Sequence, residues 1–112
     1  MNPTRLMIAT TTFSEKSHAT EMARLVIREK AAACAQVDGP IESHYCWDNQ
    51  LCQDSEWRLT MKTTISAIAR LQELVLSAHP YDQPQWLVTS VVETTAGYGS
   101  WVEQAVNQDG TR

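Results

Sequence analysis

The chain has 112 residues, 43% of them hydrophobic and 20% charged, with four Gly and four Pro. That is globular composition for one domain over residues 1–112, and it excludes a disordered or low-complexity chain. Nine Lys and Arg against thirteen Asp and Glu leave a net charge of -4, which excludes a sequence-independent nucleic-acid binder, because such a protein needs a basic surface to displace counterions from phosphate.

Residues 6–12 read as a strand, with Leu6, Ile8 and Thr10 alternating against Met7, Ala9 and Thr11. Ser14 offers an N-cap, and Glu15 then falls in a first helical turn, where negative charge is favoured. Ala19, Met22, Ala23, Val26 and Ile27 recur at spacings of three and four. That apolar stripe predicts a helix running to about Lys30. Residues 32–37 form a short apolar run, and Asp38-Gly39-Pro40 then breaks the chain. Residues 41–47 resume as a strand, Asp48-Asn49 signals a tight turn, and residues 51–63 return. On the returning strand Trp57, Leu59 and Met61 share one face, and Arg58, Thr60 and Lys62 share the other. The result is a long hairpin for so small a protein.

Residues 65–79 predict the second helix, with an inner stripe of Ile68, Leu71, Leu74, Val75 and Ala78. Thr64 or Ser66 caps it, and Pro80 ends it by disfavouring helical geometry in the residue before it. Residues 86–92 read as a fourth strand. Gly97 and Gly99 flank a turn before a short helix over residues 100–106, and the polar tail from 107 to 112 is expected to fray. Strand, helix, strand, strand, helix, strand is the split βαβ, or ferredoxin-like, order of an α+β fold. It predicts an antiparallel sheet with both main helices on one face. The other face is then either polar or covered by another subunit.

No window approaches the ~18 apolar residues that cross a bilayer, so no membrane partner is expected. Residues 1–5 are polar, and the apolar stretch after them is far below a signal peptide's ~7–15 residues. Three cysteines, an odd number without a regular framework, fit a reducing compartment. These features predict a cytoplasmic protein.

From the hairpin onward the sequence becomes specific. Lys30-Ala31-Ala32-Ala33-Cys34-Ala35, Tyr45-Cys46-Trp47, Met61-Lys62-Thr63-Thr64, His79-Pro80-Tyr81-Asp82-Gln83-Pro84 and Tyr98-Gly99-Ser100-Trp101 occur in one order. The ordered set, spanning about residues 6–106, resembles the CutA family of divalent-cation tolerance proteins. The resemblance implies a ferredoxin-like fold and a tight homotrimer in which long hairpins extend sheets across subunit boundaries. It also implies binding of copper and tolerance to copper and other divalent cations, and no enzymatic activity. A likeness of the family's trimer to nitrogen-regulatory signalling trimers implies a sensory alternative.

Copper-binding members of the family have a Cys just after the first strand and a His-His pair before Pro-Tyr. Here Thr11 occupies the Cys position and Ala78 that of the first His, so His79 is the one ligand candidate carried over. Gln85 stands where members have Glu. The structural alternative for His79 is a helix C-terminal residue that bonds the terminal carbonyls. A second soft set, His44, Cys46 and Cys52, lies on the hairpin. His44 and Cys46 are two apart and share a face. Cys46 sits opposite Cys52 only if the loop has three residues; a two-residue loop offsets them. In the first register a His-Cys-Cys clip or a labile disulfide is possible; otherwise the cysteines are incidental packing near a subunit contact. Cys34 reads as small hydrophobic packing.

Lys62 and Tyr81 are candidates for a ligand cleft that binds a small anion. Tyr45, Trp47 and Trp57 are candidates for a trimer interface, with ligand stacking as the alternative for the first two. Glu42, Asp48, Asp54 and Glu56 read as edge charges that block aggregation. There is no Gly-rich phosphate loop and no G-x-S-x-G elbow, and Cys-His nucleophilic catalysis would need a tertiary contact. The expected molecule is therefore a homotrimeric copper-binding or divalent-metal-binding protein, not an enzyme. The alternatives are a signalling trimer with an anionic ligand between subunits, and an adaptor trimer without ligand.

Overall fold

The structure, a computed structural model, describes residues 4–107. The expectations for residues 1–3 and for the tail over 108–112 lie outside these. In chain order the elements are β1 (Leu6–Phe13), α1 (Lys16–Arg28), β2 (Cys34–Trp47), β3 (Gln50–Thr64), α2 (Ile68–Ala78), β4 (Leu87–Ser90) and α3 (Ala96–Ala105). The four strands form one antiparallel sheet in the order β2-β3-β1-β4. Thus β3 lies between β1 and β2, and β1 lies between β3 and β4.

Register assigns the two faces. Ala9, Thr11 and Phe13 of β1 stand opposite Met61, Leu59 and Trp57 of β3. Ala9, Phe13, Leu59 and Met61 join Ala19, Met22 and Val26 of α1 and Leu71 and Val75 of α2 in the core. Each of the Val, Leu, Met and Phe side chains among these contributes about 1.5–3 kcal/mol on full burial. The other face carries Leu6, Ile8, Thr10 and Thr12 against Thr64, Lys62, Thr60 and Arg58. There α3 returns to pack on β3 and β1, with Gly99 and Val102 buried. The bare face expected from the sequence is therefore bare only in part. Leu87, opposite Thr10 on this face, stays 57% exposed.

Both predicted helix starts move. Ser14 does not cap α1, which starts behind Glu15, a residue that makes no side-chain cap bond. Thr64 and Ser66 bond each other, 3.1 Å apart, and α2 begins at Ile68 behind Ala67. At the other end of the chain, Thr95 accepts a 3.3 Å bond from the Tyr98 amide. That cap draws Gly97 and Gly99 into α3 instead of leaving them in a turn.

The expected break at Asp38-Gly39-Pro40 does not end β2. The chain passes through an irregularity between Asp38 and Ile41, with a cis Gly39-Pro40 bond. A bulge on an edge strand tolerates a missing amide donor. Gly39 has φ +150, and a Cβ there would lie 2.8 Å from the Trp57 ring, so the crossing requires Gly.

Trp47 pairs with Gln50, so the hairpin loop has two residues. Asp48 and Asn49 have φ of 54 and 63, the left-handed pair that matches the twist of a two-residue hairpin. A β-branched residue is poorly accommodated there. Asn49→Val is expected to destabilise by about 1–2 kcal/mol, read as a lower urea midpoint at unchanged slope. The hairpin gives the chain principal extents of 50 × 29 × 21 Å, and it exposes Tyr45, Trp47 and Leu51 by 44%, 64% and 93%.

Candidate functional site

The end of β1 and the end of α2 meet at His79, the C-cap residue of α2 in extended conformation. Its Nε2–H donates to the Thr12 carbonyl at 2.9 Å, and its Nδ1 accepts from the Tyr81 amide at 3.1 Å. These two bonds assign the neutral Nε2–H tautomer. The ring stacks on Phe13 at 4.3 Å between centroids and 11° between planes. Tyr81 meets the imidazole edge-on at 4.9 Å. His79 therefore ties the end of α2 to β1; it does not bond the terminal carbonyls of its own helix, the structural role expected for it.

Burial pushes the His79 pKa below its ordinary 6.5, and nearby His18 pushes the same way; the Thr12 bond and Glu56 oppose them. The unfolded chain then takes up this proton first. The stabilisation is complete above the unfolded value and is lost as pH falls through the folded one. Urea midpoints are expected to fall between about pH 7.5 and about pH 5, and the fall should be shallower in His79→Gln than in the parent.

Tyr81 connects the imidazole to a carboxylate. Its hydroxyl donates to Glu56 Oε2 at 2.8 Å, and burial, then Glu56, push its pKa up to about 12. Glu56 lies on β3 opposite Ile41. One residue thus sits between an imidazole on its amide side and a carboxylate on its hydroxyl side. The sequence reading set Glu56 aside as an edge charge. Nothing in the spacing signals this partnership, which arises from the β3 register.

The other two positions of the implied copper set do not contribute. Thr11 is fully buried, and its Oγ1 has no hydrogen-bond partner among the described residues. Ala78 has no donor atom. A hydroxyl, a methyl and an engaged imidazole do not fit a soft copper(I) ion, which favours thiolate.

Lys62 and Tyr81 are not brought together within one chain. Lys62 donates to Gln36 Oε1, and it stands six positions along β3 from Glu56, the partner of Tyr81. At a strand rise of ~3.3 Å per residue that is about 20 Å. Trp57 is half-buried against the core, with Lys16 Nζ 5.4 Å from its ring centroid. Tyr45 donates to Asp54, and that bond is the first cause that raises its pKa to about 12. Arg58 and Asp38 pair at 2.8 Å, and Arg58 holds the Asp38 carboxyl below its usual range.

On the hairpin the two-residue loop decides the cysteine question. Cys46 stands opposite Leu51 and Cys52 opposite Tyr45, so the two thiols leave opposite faces. The His44-Cys46-Cys52 clip does not form within a chain, and Cys46 and Cys52 do not pair; Cys34, Cys46 and Cys52 are all free. Cys34 is half-buried at the start of β2. His44 instead bonds Glu42, Nε2 to Oε1, at 2.7 Å. Among the described residues no group of three or more His, Cys, Asp or Glu side chains converges on a metal position. Also among the described residues, no helix is long and apolar enough to cross a membrane.

Residues 7–105 match the family model of the CutA1 divalent ion tolerance protein. The divalent-cation tolerance protein CutA of Escherichia coli O139:H28 is 33% identical over 103 residues, which is 92% of each chain. The solved structure of CutA from Synechococcus elongatus superposes with a TM-score of 0.89 at 28% identity, covering 95% of both chains. A chain described as the periplasmic divalent cation tolerance protein CutA of Archaeoglobus fulgidus shares the fold, with a TM-score of 0.87 at 20% identity over 91% of this chain and 99% of that one. An antiparallel β2-β3-β1-β4 sheet, a long β2–β3 hairpin and the ordered motifs thus agree with a model that spans nearly the whole sequence: the chain belongs to the CutA1 divalent ion tolerance family.

Proposed function

We propose that the protein is a ferredoxin-like homotrimer that binds divalent cations, copper among them, at seams between subunits, and that it serves cation tolerance as a binding protein and not as an enzyme. The observation that carries this reading is the bracketing of Tyr81 by His79 and Glu56. An imidazole and a carboxylate form a borderline-to-hard donor pair, which suits divalent ions better than soft ones. Two donors are short of the four or more that such ions take. The rest must come from water or a neighbouring subunit. The exposed Tyr45 and Trp47 on one face of the hairpin, Leu51 on the other and Leu87 on β4 support a second and third copy as the neighbour, since large apolar side chains left open on several surfaces are candidates for cover by other subunits. The three cysteines, an odd number with no disulfide framework, support a cytoplasmic location.

His79 would hold the ion through Nδ1, which now accepts from the Tyr81 amide, while its Nε2–H would keep the bond to the Thr12 carbonyl. Calorimetric titration of the intact protein with copper(II) is expected to show saturable binding at micromolar metal, lost in His79→Ala and weakened in Glu56→Gln. Binding that persists unchanged in His79→Ala, or no heat at all, contradicts the reading.

A further inference from the structure

Beyond the core half of the sheet, the β2–β3 hairpin stands as a two-stranded ribbon. Among the described residues β1 pairs with β3 from Thr64 as far as Trp57, so residues 50–56 of β3 have β2 as their one neighbour in the sheet. Such a ribbon is marginal by itself in water and twists more than a wide sheet does. Its joint with the body is also weak. The register breaks between Asp38, opposite Arg58, and Ile41, opposite Glu56, so Gly39 and Pro40 together face Trp57. Pro40 has no amide to give to the ladder there. The paired ribbon from Ile41 to Trp47 is about 20 Å long, and a tilt of about 10° at the joint carries its tip by about 3.5 Å.

The side chains at the joint divide by what they connect. Arg58 and Asp38 pair across the strands, Nη2 to Oδ2 at 2.8 Å and Nε to Oδ1 at 3.2 Å. Gly39 lies against the Trp57 ring, where a Cβ would be 2.8 Å away. Both contacts hold β2 to β3, and the two strands tilt together. Tyr81 instead ties the ribbon to the body. Its hydroxyl donates to Glu56 Oε2 at 2.8 Å, at the first paired position beyond the break. Its amide donates to His79 Nδ1, and His79 is fixed in turn by the Thr12 carbonyl and by the buried Phe13 ring. Among the described residues this is the one side-chain hydrogen bond from residues 41–56 to the rest of the chain; His44–Glu42, Tyr45–Asp54 and Cys52–Gln50 are internal to the ribbon. A hydroxyl on a carboxylate is also among the stronger hydrogen bonds. We propose that the Tyr81–Glu56 bond is a strut that sets the angle of the hairpin arm, which makes Tyr81 a positioning residue for the surface on which Tyr45 and Trp47 meet a neighbouring copy. The use of the arm rests on the homotrimer reading; the strut requires no bound ion.

Hydrogen–deuterium exchange of the intact protein, followed by mass spectrometry, tests it with three variants. Tyr81→Phe removes the donor and keeps the ring, Glu56→Ala removes the acceptor, and Glu56→Gln keeps an oxygen that accepts from the hydroxyl. Amides of residues 41–55 are expected to exchange about 10-fold faster in Tyr81→Phe and Glu56→Ala and at near-parental rates in Glu56→Gln. Residues 6–13 and 57–64 should be unchanged in all three. Light scattering on dilution should show Tyr81→Phe dissociating at about 10-fold higher concentration than the parent. Exchange that rises evenly over the arm and the core strands, an arm that does not respond, a Gln variant as loose as the Ala variant, or equal association of a trimeric parent and Tyr81→Phe overturns the proposal. A parent that is a single chain at every concentration contradicts the homotrimer reading, and the exchange pattern then still decides whether the strut exists. Cation binding that is weakened in Glu56→Gln while the arm stays protected supports both readings separately.

Discussion

Phe13→Ala is expected to lower stability by about 3–5 kcal/mol and to raise the His79 pKa in the same protein. Phe13 is fully buried and is among the largest side chains between the sheet and the α1–α2 layer. Its removal forfeits the transfer energy of the ring and leaves a cavity that a β-sheet cannot readily close. The same ring stacks on the His79 imidazole at 4.3 Å. Burial is the largest cause holding the His79 pKa down, and water entering beside the imidazole relieves it. Urea unfolding reads the first effect, and a proton NMR titration of the His79 ring reads the second. A stability loss with no movement of the His79 pKa would mean that the desolvation of the imidazole comes from some other wall of the site.

Leu87→Glu is expected to have the second large effect, and its direction depends on assembly. Leu87 opens β4 on the sheet face away from α1 and α2, opposite Thr10, and is 57% exposed in the single chain. On a monomer such a change stays near 0.5 kcal/mol, as most surface substitutions do. At a subunit seam it removes a buried leucine and places an unpaired carboxylate in each of three copies. A buried charge without a partner costs roughly 3–5 kcal/mol per subunit. Sedimentation equilibrium should then show single chains for the variant, against the trimers proposed for the parent. Unchanged mass and unchanged stability would mean that this part of the face is not at the seam.

Most of the fold was legible because periodicity reports burial. The alternation along β1 and the three-and-four spacing of Ala19, Met22 and Val26 name the residues that meet in the core. Element ends were less legible, because a cap is a competition. Ser14 reads as a helix start, but α1 begins one residue later behind Glu15, and Thr64 and Ser66 cap nothing once they bond each other. Asp38-Gly39-Pro40 reads as an end of strand because sequence alone does not reveal that β3 continues to pair on both sides of the bulge. Within the candidate sites, His79 was visible as a residue type, but its partner Glu56 was not: 23 positions separate them in the chain, and tertiary packing through Tyr81 brings them near. On the hairpin the whole question turned on one residue of loop length. Two residues with positive φ, Asp48 and Asn49, send Cys46 and Cys52 to opposite faces and leave Glu42 as the neighbour of His44.

The proposed threefold self-association is the premise of the proposed cation seam and our account of the exposure of Tyr45, Trp47 and Leu87 in the isolated chain. The molar mass of the purified protein in solution, measured by multi-angle light scattering at micromolar concentration, tests it most directly. A mass three times that of the 12.6 kDa chain, with the fluorescence of Trp47 shielded from an aqueous quencher, is the predicted result. A species of 12.6 kDa whose Trp47 is fully quenched would contradict it.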